Sequence, residues 1–148
     1  MKQLHSNTWI SALLVGALFR LCDAPAVAQV TYASVSTYAG NSIPGLFDDS
    51  LGSARFNGPY GVCTDPITGT IYVADGLNNC IRKIEGGVVM TIAGNGVPGD
   101  LDGIGSSARF HVPTGVYFKN GYLYVCDDLN HKIKRIDSTG YVLTIAGT

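Results

Sequence analysis

The stretch "DDLNHKIKRI", Asp127–Ile136, concentrates ionisable side chains: two adjacent carboxylates, a histidine and three cations within ten residues. Such a cluster could bind a metal ion, steer an anion or help catalysis. A unique site of this kind should occur once in the chain, whereas a structural pattern recurs wherever the same fold unit recurs. The rest of the sequence therefore decides between chemistry and architecture.

The cluster has a counterpart earlier in the chain. The segment "IYVADGLNNCIRKI", Ile71–Ile84, aligns with "LYVCDDLNHKIKRI", Leu123–Ile136, at an offset of 52 residues. "SARF" occurs at Ser53–Phe56 and again at Ser107–Phe110. "TIAGN" ends the first unit, "TIAGT" ends the second, and "TYAGN" precedes both. Collinear matches at a period of about 50 residues indicate a repeated structural unit.

Each unit is predicted to contain four short antiparallel strands. Asn120-Gly121 is a favoured hairpin dipeptide because both positions adopt positive φ, and Gly86-Gly87 joins the next strand pair of the first unit. Runs such as "IYVA" and "LYVC" predict strands that are buried on both faces. These features predict an all-β fold of β-propeller blades, with a solenoid of shorter β-rungs as the alternative. The predicted strands cover 61–65, 70–74, 81–85, 88–93, 115–119, 122–126, 133–137 and 141–146.

Both units resemble NHL repeats. They share A-R-F, P-x-G-V, Y-V-x-D, I-[RK]-[KR]-I and a closing T-I-A-G with that family. The triplet that names the family is kept in part, as Asn78-Asn79-Cys80 and Asn130-His131-Lys132. The resemblance covers about Val35 to Thr148 and implies an NHL-type β-propeller. It implies little about activity, because propellers host many unrelated functions.

The N-terminus, residues 1–28, is predicted to be a secretory signal peptide. Lys2 gives a positive start, Trp9–Phe19 is an apolar run, and Ala26-Val27-Ala28 is a small-x-small cleavage pattern. The run is too short for a bilayer span, which takes about 20 residues. We therefore expect a secreted or extracytoplasmic protein with no membrane span, and an uncleaved signal-anchor is the alternative.

The remaining chain divides into a leading strand (29–41, with the strand itself over 35–39), blade 1 with its connector (42–95) and blade 2 with its connector (96–148). Propellers close with roughly 4–8 blades. The sequence therefore predicts an incomplete propeller whose open faces take further blades or self-associate. A truncated product without independent function is a further alternative.

Ten residues recur at equivalent positions and are predicted to build the blades. The Asp and Asn residues are expected to bond to backbone groups in tight turns. The arginines are expected to pair with connector carboxylates, with an anion-binding ring as the alternative. The phenylalanines should fill the gap between blades, and the glycines should let the innermost strand approach the axis. The ten are Arg55, Phe56, Gly61, Asp75, Asn78, Arg109, Phe110, Gly115, Asp127 and Asn130.

The long glycine-rich connectors should lie on the same side as the "DGLNN" and "DDLNH" turns, because strand direction alternates. "DLDG" resembles part of a calcium loop, and two histidines could help to bind zinc, but further ligands are not identifiable for either metal. No catalytic, cofactor or metal residue is therefore assigned. The candidate binding-face residues are Asp48, Asp49, Asp100, Asp102, His111, Asp128, His131 and Lys132.

The preferred function is a non-catalytic module that binds a protein, peptide or glycan. The alternative is part of a metal-dependent propeller enzyme that resembles the peptide-amidating lyase. A net charge of −1 gives no nucleic-acid footprint. Cys63, Cys80 and Cys126 remain after the signal and are predicted to be small buried side chains, with any disulfide left open.

Overall fold

The computed structural model describes residues 34–147. The predicted signal peptide, residues 1–28, lies outside the described residues. From Ser36 onward the chain forms one compact unit. Among the described residues, no helix is long and apolar enough to cross a membrane.

Two antiparallel sheets of five strands make up this unit, and each sheet corresponds to one sequence repeat. The all-β fold predicted from the repeats is confirmed. In spatial order, the first sheet contains β1 (Asp49–Ser50), β5 (Val88–Ala93), β4 (Cys80–Glu85), β3 (Ile71–Asp75) and β2 (Pro59–Thr64). The second contains β6 (Gly103–Ile104), β10 (Tyr141–Ala146), β9 (Lys132–Ile136), β8 (Tyr122–Asp127) and β7 (Pro113–Lys119).

The sheets have one strand more than the four that the repeats predict. The connector before each blade contributes a two-residue strand to the outer edge, so that Asp49 pairs with Val89 and Tyr141 pairs with Ile104. An edge strand leaves a row of backbone N–H and C=O groups without partners. The added strand satisfies part of that row.

The strand predicted over Val35–Ala39 is wrong, because the structure has no strand there. The segment's hydrogen bonds run to the connector instead: Gly40 donates to the Leu51 carbonyl at 2.8 Å. Gly94, at the end of β5, makes the equivalent bond to the Gly105 carbonyl. The leading segment thus contacts its connector as the end of an outermost strand does. A ladder also needs a neighbouring strand, and none of the described strands lies beside it.

The core lies mainly between the two sheets. Phe110 is fully buried there, among side chains from both blades that include Ile81 from β4 and Val125 from β8. A second cluster covers the opposite face of the first sheet, where Phe56 packs against buried residues such as Val73. The central strands thus have apolar side chains on both faces, which explains their continuous hydrophobic sequence.

The innermost strands β2 and β7 lie directly against each other. A Cβ atom on Gly61 would come within 2.4 Å of the Thr114 carbonyl oxygen. The equivalent Gly115 is less constrained, since its Cβ would meet only Cys126 of its own sheet, at 3.1 Å. Of these two glycines, Gly61 is thus the one that leaves room for the neighbouring blade.

Candidate interaction surface on the connector side

The turn between β3 and β4 is tied to the first connector by polar side chains. Asp75 Oδ1 accepts the backbone N–H of Asn57 at 2.7 Å, and Asp75 Oδ2 accepts Nδ2 of Asn78 at 2.8 Å. Asn78 Nδ2 also donates to the Gly45 carbonyl at 2.8 Å. The turn ends at Asn79 with φ of 49°, a conformation that asparagine tolerates. A turn and a connector distant in sequence are thus fixed together.

Blade 2 repeats this arrangement. Asp127 accepts the backbone N–H of His111 at 2.7 Å and Nδ2 of Asn130 at 2.8 Å. Asn130 Nδ2 donates to the Gly99 carbonyl at 2.8 Å. His131 ends the turn with φ of 55°. The recurring aspartate and asparagine therefore hold connector and turn together in both blades.

A fully buried arginine lies beneath the first connector. Arg82 Nη1 donates to Asp75 Oδ2 and to the Arg55 carbonyl, both at 2.8 Å. Its Nη2 donates to Asp48 Oδ1 at 2.7 Å and to the Phe47 carbonyl at 3.0 Å. A planar guanidinium suits this position, because its fork can bridge two carboxylates and still satisfy backbone carbonyls.

Asp48 also joins the connector to the outermost strand. Its Oδ2 accepts the Thr91 N–H at 2.8 Å, and its Oδ1 accepts the Thr91 hydroxyl at 2.9 Å. Asp102 makes the same two contacts with Thr144, both at 2.8 Å. These two predicted binding-face residues therefore tie their blades together.

The buried cation of blade 2 is a lysine. Lys134 Nζ donates to Asp100 Oδ1 at 2.8 Å and to Asp102 Oδ1 at 3.0 Å. Asp100 also pairs with Lys132. In the repeat alignment, Asp100 replaces Leu46 and Lys132 replaces Cys80, so blade 2 has an additional ion pair where blade 1 has apolar side chains.

These contacts shift the pKa values of the groups involved. Hydrogen bonds from Lys132 and Lys134 lower the pKa of Asp100. Burial opposes ionisation of Asp102, but the bonds from Thr144 and Lys134 outweigh it, so its pKa is also lowered. Burial alone would lower the pKa of Lys134, and its two carboxylates raise it. Asp100, Asp102 and Lys134 are therefore all charged at neutral pH.

Asp127 shows the opposite behaviour. Burial raises its pKa, although the His111 N–H and Asn130 oppose the rise. Lys134 makes no hydrogen bond to it, in contrast to the bond that Arg82 makes to Asp75.

The pairing of Arg55 and Arg109 with carboxylates, expected from the sequence, is not present. Among residues 34–147 neither arginine forms an ion pair. The Arg109 guanidinium bonds to the Asn95 side-chain oxygen, which links the second connector to the end of blade 1. The Arg55 guanidinium lies 5.8 Å from the centre of the Phe47 ring. The arginines thus hold connectors in place through neutral partners.

Connectors 42–57 and 96–111, together with the turns Gly76–Asn78 and Asp128–Asn130, form one side of the molecule, called here the connector face. Asp128, His131 and Lys132 come together around a shallow depression of about 220 Å³, which Cys126 also lines. Asp49 is exposed and accepts the Ser50 N–H, whereas His111 is half-buried. The depression therefore collects three of the predicted residues, and the ion pairs around Lys134 bring together Asp100, Asp102 and Lys132.

Comparison with known proteins identifies the repeats. No protein-family model matches the chain. Human NHL repeat-containing protein 2 is 35% identical over 104 residues, which are 69% of this chain and 14% of that protein. The chain belongs to the NHL repeat family. A chloroplastic protein of Arabidopsis thaliana, SUPPRESSOR OF QUENCHING 1, is 34% identical over 108 residues, which are 65% of this chain and 10% of that protein.

Solved structures support the same fold. A Bacteroides thetaiotaomicron protein of unknown function superposes with a TM-score of 0.62 at 27% identity, over 66% of this chain and 26% of its own. An auxiliary nutrient binding protein from Bacteroides ovatus superposes with a TM-score of 0.54 at 25% identity, over 67% of this chain and 26% of its own. The chain thus spans about a quarter of these neighbours and a smaller share of the curated relatives.

Within the NHL blades, the residues that sequence reasoning missed are the buried cations and the threonines. Arg82 and Lys134 occur in a recurring basic pair, which marked the position without showing that its first member is buried. Thr91 and Thr144 belong to the closing T-I-A-G motif. Their partners Asp48 and Asp102 lie more than 40 residues earlier, so only the folded blade brings them together.

Both NHL blades contain residue types that can bind metal ions. In the part of the chain that the structure describes, no group of three or more His, Cys, Asp or Glu side chains is arranged to hold a metal ion. Cys63, Cys80 and Cys126 are free thiols. Burial raises the pKa of Cys80 to about 12, which makes it unreactive at neutral pH. Cys126 is exposed, so its predicted burial is wrong: its side of the second sheet is not covered by described residues.

Proposed function

We propose that these NHL blades form a non-catalytic interaction module that binds a protein, peptide or glycan on the connector face. One observation supports this proposal above the others. In each blade, side-chain bonds fix the connector to a turn and to the outermost strand, as Asn78 and Asp48 do in blade 1. Binding surfaces are often loops that a rigid scaffold positions.

The name of one structural neighbour supports a binding function. The Bacteroides ovatus structure is of an auxiliary nutrient binding protein. The present chain spans 26% of that chain, so the name suggests a class of function and supplies no ligand. Residues 1–28 are the basis for placing the protein in a secreted or extracytoplasmic compartment. Fusion of these residues to a reporter enzyme should export the reporter, and retention of activity in the cytoplasm would contradict that placement.

The outer faces of the two blades are proposed to take further blades or a second copy of the chain. On the first sheet, a hollow of about 500 Å³ is lined by apolar side chains such as Phe56, Tyr60 and Val73. Sedimentation velocity of the full chain should show association that Val62→Asp weakens, since Val62 lines the same hollow. A monomer at all concentrations would contradict self-association.

The test of the proposed function compares the two ends of the blades. The purified chain is screened against immobilised peptides and glycans, first unchanged and then as Asp128→Asn/His131→Ala. The matched control is Asn120→Ala, in the hairpin turn at the opposite end. We expect a ligand whose binding falls at least tenfold in the first variant and stays unchanged in the control.

Two results would contradict the proposal. Binding that depends on Asn120 and not on Asp128 and His131 would place the ligand on the opposite side. Stoichiometric zinc or calcium in the purified protein, together with turnover of a substrate, would favour the metal-dependent enzyme instead.

A further inference from the structure

The connector face exposes apolar side chains in matched pairs. Three positions in blade 1 and their equivalents in blade 2 hold large apolar residues, and each is about half exposed to solvent. The pairs are Ile43 (52%) with Val97 (53%), Phe47 (49%) with Leu101 (55%), and Leu77 (50%) with Leu129 (51%). Their recurrence at equivalent positions on one side of the molecule is consistent with a surface that contacts another molecule.

This exposure is not confined to the first connector, which has no described blade on its outer side. The second connector runs between the two blades: the Asn79 side chain of blade 1 donates to its Gly96 carbonyl, and its Arg109 bonds to Asn95. Val97 and Leu101 of this connector nevertheless remain exposed to the same degree as Ile43 and Phe47. The apolar surface is therefore a property of each repeat.

The charges around these side chains leave a negative balance. Seven carboxylates lie in the connectors, the turns and the strand ends next to them, against five cations, which gives −2. Neither Asp49 nor Asp128 takes part in an ion pair among residues 34–147. The carboxylates are Asp48, Asp49, Asp75, Asp100, Asp102, Asp127 and Asp128. The cations are Arg55, Arg82, Arg109, Lys132 and Lys134.

The basic groups of this face are buried or half-buried, whereas Asp49 and Asp128 are exposed. Lys132 pairs with Asp100, Lys134 and Arg82 are fully buried, and the two arginines of the connectors contact Asn95 and Phe47. A ligand on this face therefore meets apolar side chains together with two carboxylates that have no counter-ion. Its complement carries apolar groups and positive charges.

We propose that the connector face binds a protein segment that combines basic side chains with large apolar ones. This inference rests on the proposed function and narrows its partner to one class. The apolar pairs would bury the partner's apolar side chains, and Asp49 and Asp128 would attract its lysines or arginines. A glycan would supply neither large apolar side chains to pack against the apolar pairs nor positive charges to balance the carboxylates.

Three synthetic peptides of equal length test the proposal by fluorescence anisotropy with the full chain. The first alternates leucine and lysine, the second leucine and glutamate, and the third serine and lysine. We expect the leucine–lysine peptide to bind at least tenfold more tightly than either of the others. Its affinity should fall as salt is added, because exposed charges are screened.

Variants locate the binding. Leu77→Gln/Leu129→Gln should weaken binding of the leucine–lysine peptide at least tenfold, and Asp49→Asn/Asp128→Asn should weaken it and reduce its salt dependence. The control is Ile67→Gln, since Ile67 is 91% exposed and lies in the turn before β3, at the opposite end of the blade. Circular dichroism and thermal unfolding confirm that each variant keeps the parent fold.

The outcomes distinguish two claims: that the connector face is the binding surface, and that its partner is a basic and apolar protein segment. No measurable binding of the leucine–lysine peptide, or equal binding of the leucine–glutamate peptide, overturns the partner class. If a glycan binds instead and is lost in the Asp128→Asn/His131→Ala protein, the connector face stands and only the partner class is wrong. Binding that is sensitive to Ile67→Gln and insensitive to the connector-face variants overturns both.

Discussion

The two blades share one buried network but hold it with different cations. In blade 1, Arg82 bridges Asp75 and Asp48 and caps two backbone carbonyls. In blade 2, Lys134 contacts Asp100 and Asp102 and leaves Asp127 without a bond to the cation. A forked guanidinium can link groups on opposite sides of a turn, whereas an ammonium is a compact charge with three donors. Both carboxylates that contact the cation of blade 2 thus come from the connector, whereas blade 1 uses one from the connector and one from the turn.

The difference extends to a pair of positions in the repeat. Leu46 and Cys80 of blade 1 correspond to Asp100 and Lys132 of blade 2, which form an ion pair. The substitution of arginine by lysine is thus accompanied by a change from an apolar to a charged pair nearby. The comparison indicates that the blade requires a neutralised cation at this place and tolerates more than one way of achieving it.

The largest difference between the blades should appear when the cation is removed. Arg82→Met leaves Asp75 buried without its counter-charge, and we expect it to lower the free energy of unfolding by about 3–5 kcal/mol. Lys134→Met leaves Asp100 and Asp102 partly exposed and able to bind water, with an expected loss of about 1–3 kcal/mol. Urea unfolding followed by circular dichroism measures both losses. A larger loss for Lys134→Met would reverse the proposed difference.

The equivalent glycines of the two inner strands should also differ. Gly61→Ala places a methyl group against the Thr114 carbonyl, and overpacking of this kind costs about 1–3 kcal/mol. Gly115→Ala meets only the Cys126 side chain, at 3.1 Å, so we expect a loss of less than about 1 kcal/mol. The same unfolding experiment compares them. Equal losses would show that contact with a neighbouring blade is not what restricts Gly61.

Converting blade 1 into the chemistry of blade 2 tests the role of the added carboxylate. Arg82→Lys alone should cost about 1–2 kcal/mol, because a lysine cannot bridge both carboxylates and the carbonyls. Adding Leu46→Asp should recover part of that loss, with a coupling of about 0.5–1 kcal/mol. Leu46→Asp by itself is the control and should be destabilising. If the two losses are simply additive in the double variant, the added carboxylate does not compensate for the replacement of arginine by lysine.

Acid should weaken the blade 2 network. The folded pKa values of Asp100 and Asp102 are lowered, so their contribution to stability is present above the unfolded value of about 4 and is lost as pH falls through the folded values. Asp127, whose pKa is raised, opposes this trend in part. Urea unfolding between pH 3 and pH 7 should show stability decreasing below about pH 4. Lys134→Met should flatten that decrease. An unchanged slope would contradict the assignment of the decrease to Asp100 and Asp102.

Much of the fold could be predicted from the repeats, because collinear motifs and turn residues mark the eight main strands to within two residues. The two-residue strands β1 and β6 have no recognisable pattern and form only because an edge strand lies beside them. The opposite error occurred at Val35–Ala39, where the residues suit a strand but no described strand lies beside them.

The candidate site was less predictable than the fold. Repetition separated Asp75 and Asn78, whose side chains bond a turn to a connector, from side chains that occur in one blade alone. It could not show that Asp48 and Asp102 are held by Thr91 and Thr144, because those contacts join segments over 40 residues apart. A side chain's exposure depends on which distant segment covers it, and spacing along the chain does not record that.

Hydrogen–deuterium exchange of the full chain, with and without the leucine–lysine peptide, tests the central claim most directly. If the connector face is the binding surface, backbone amides in residues 42–57, 96–111 and 128–131 should gain protection. Amides in the turns at the opposite end, 66–69 and 137–140, should not change. Protection confined to those opposite turns, with none in the connectors, would contradict the account.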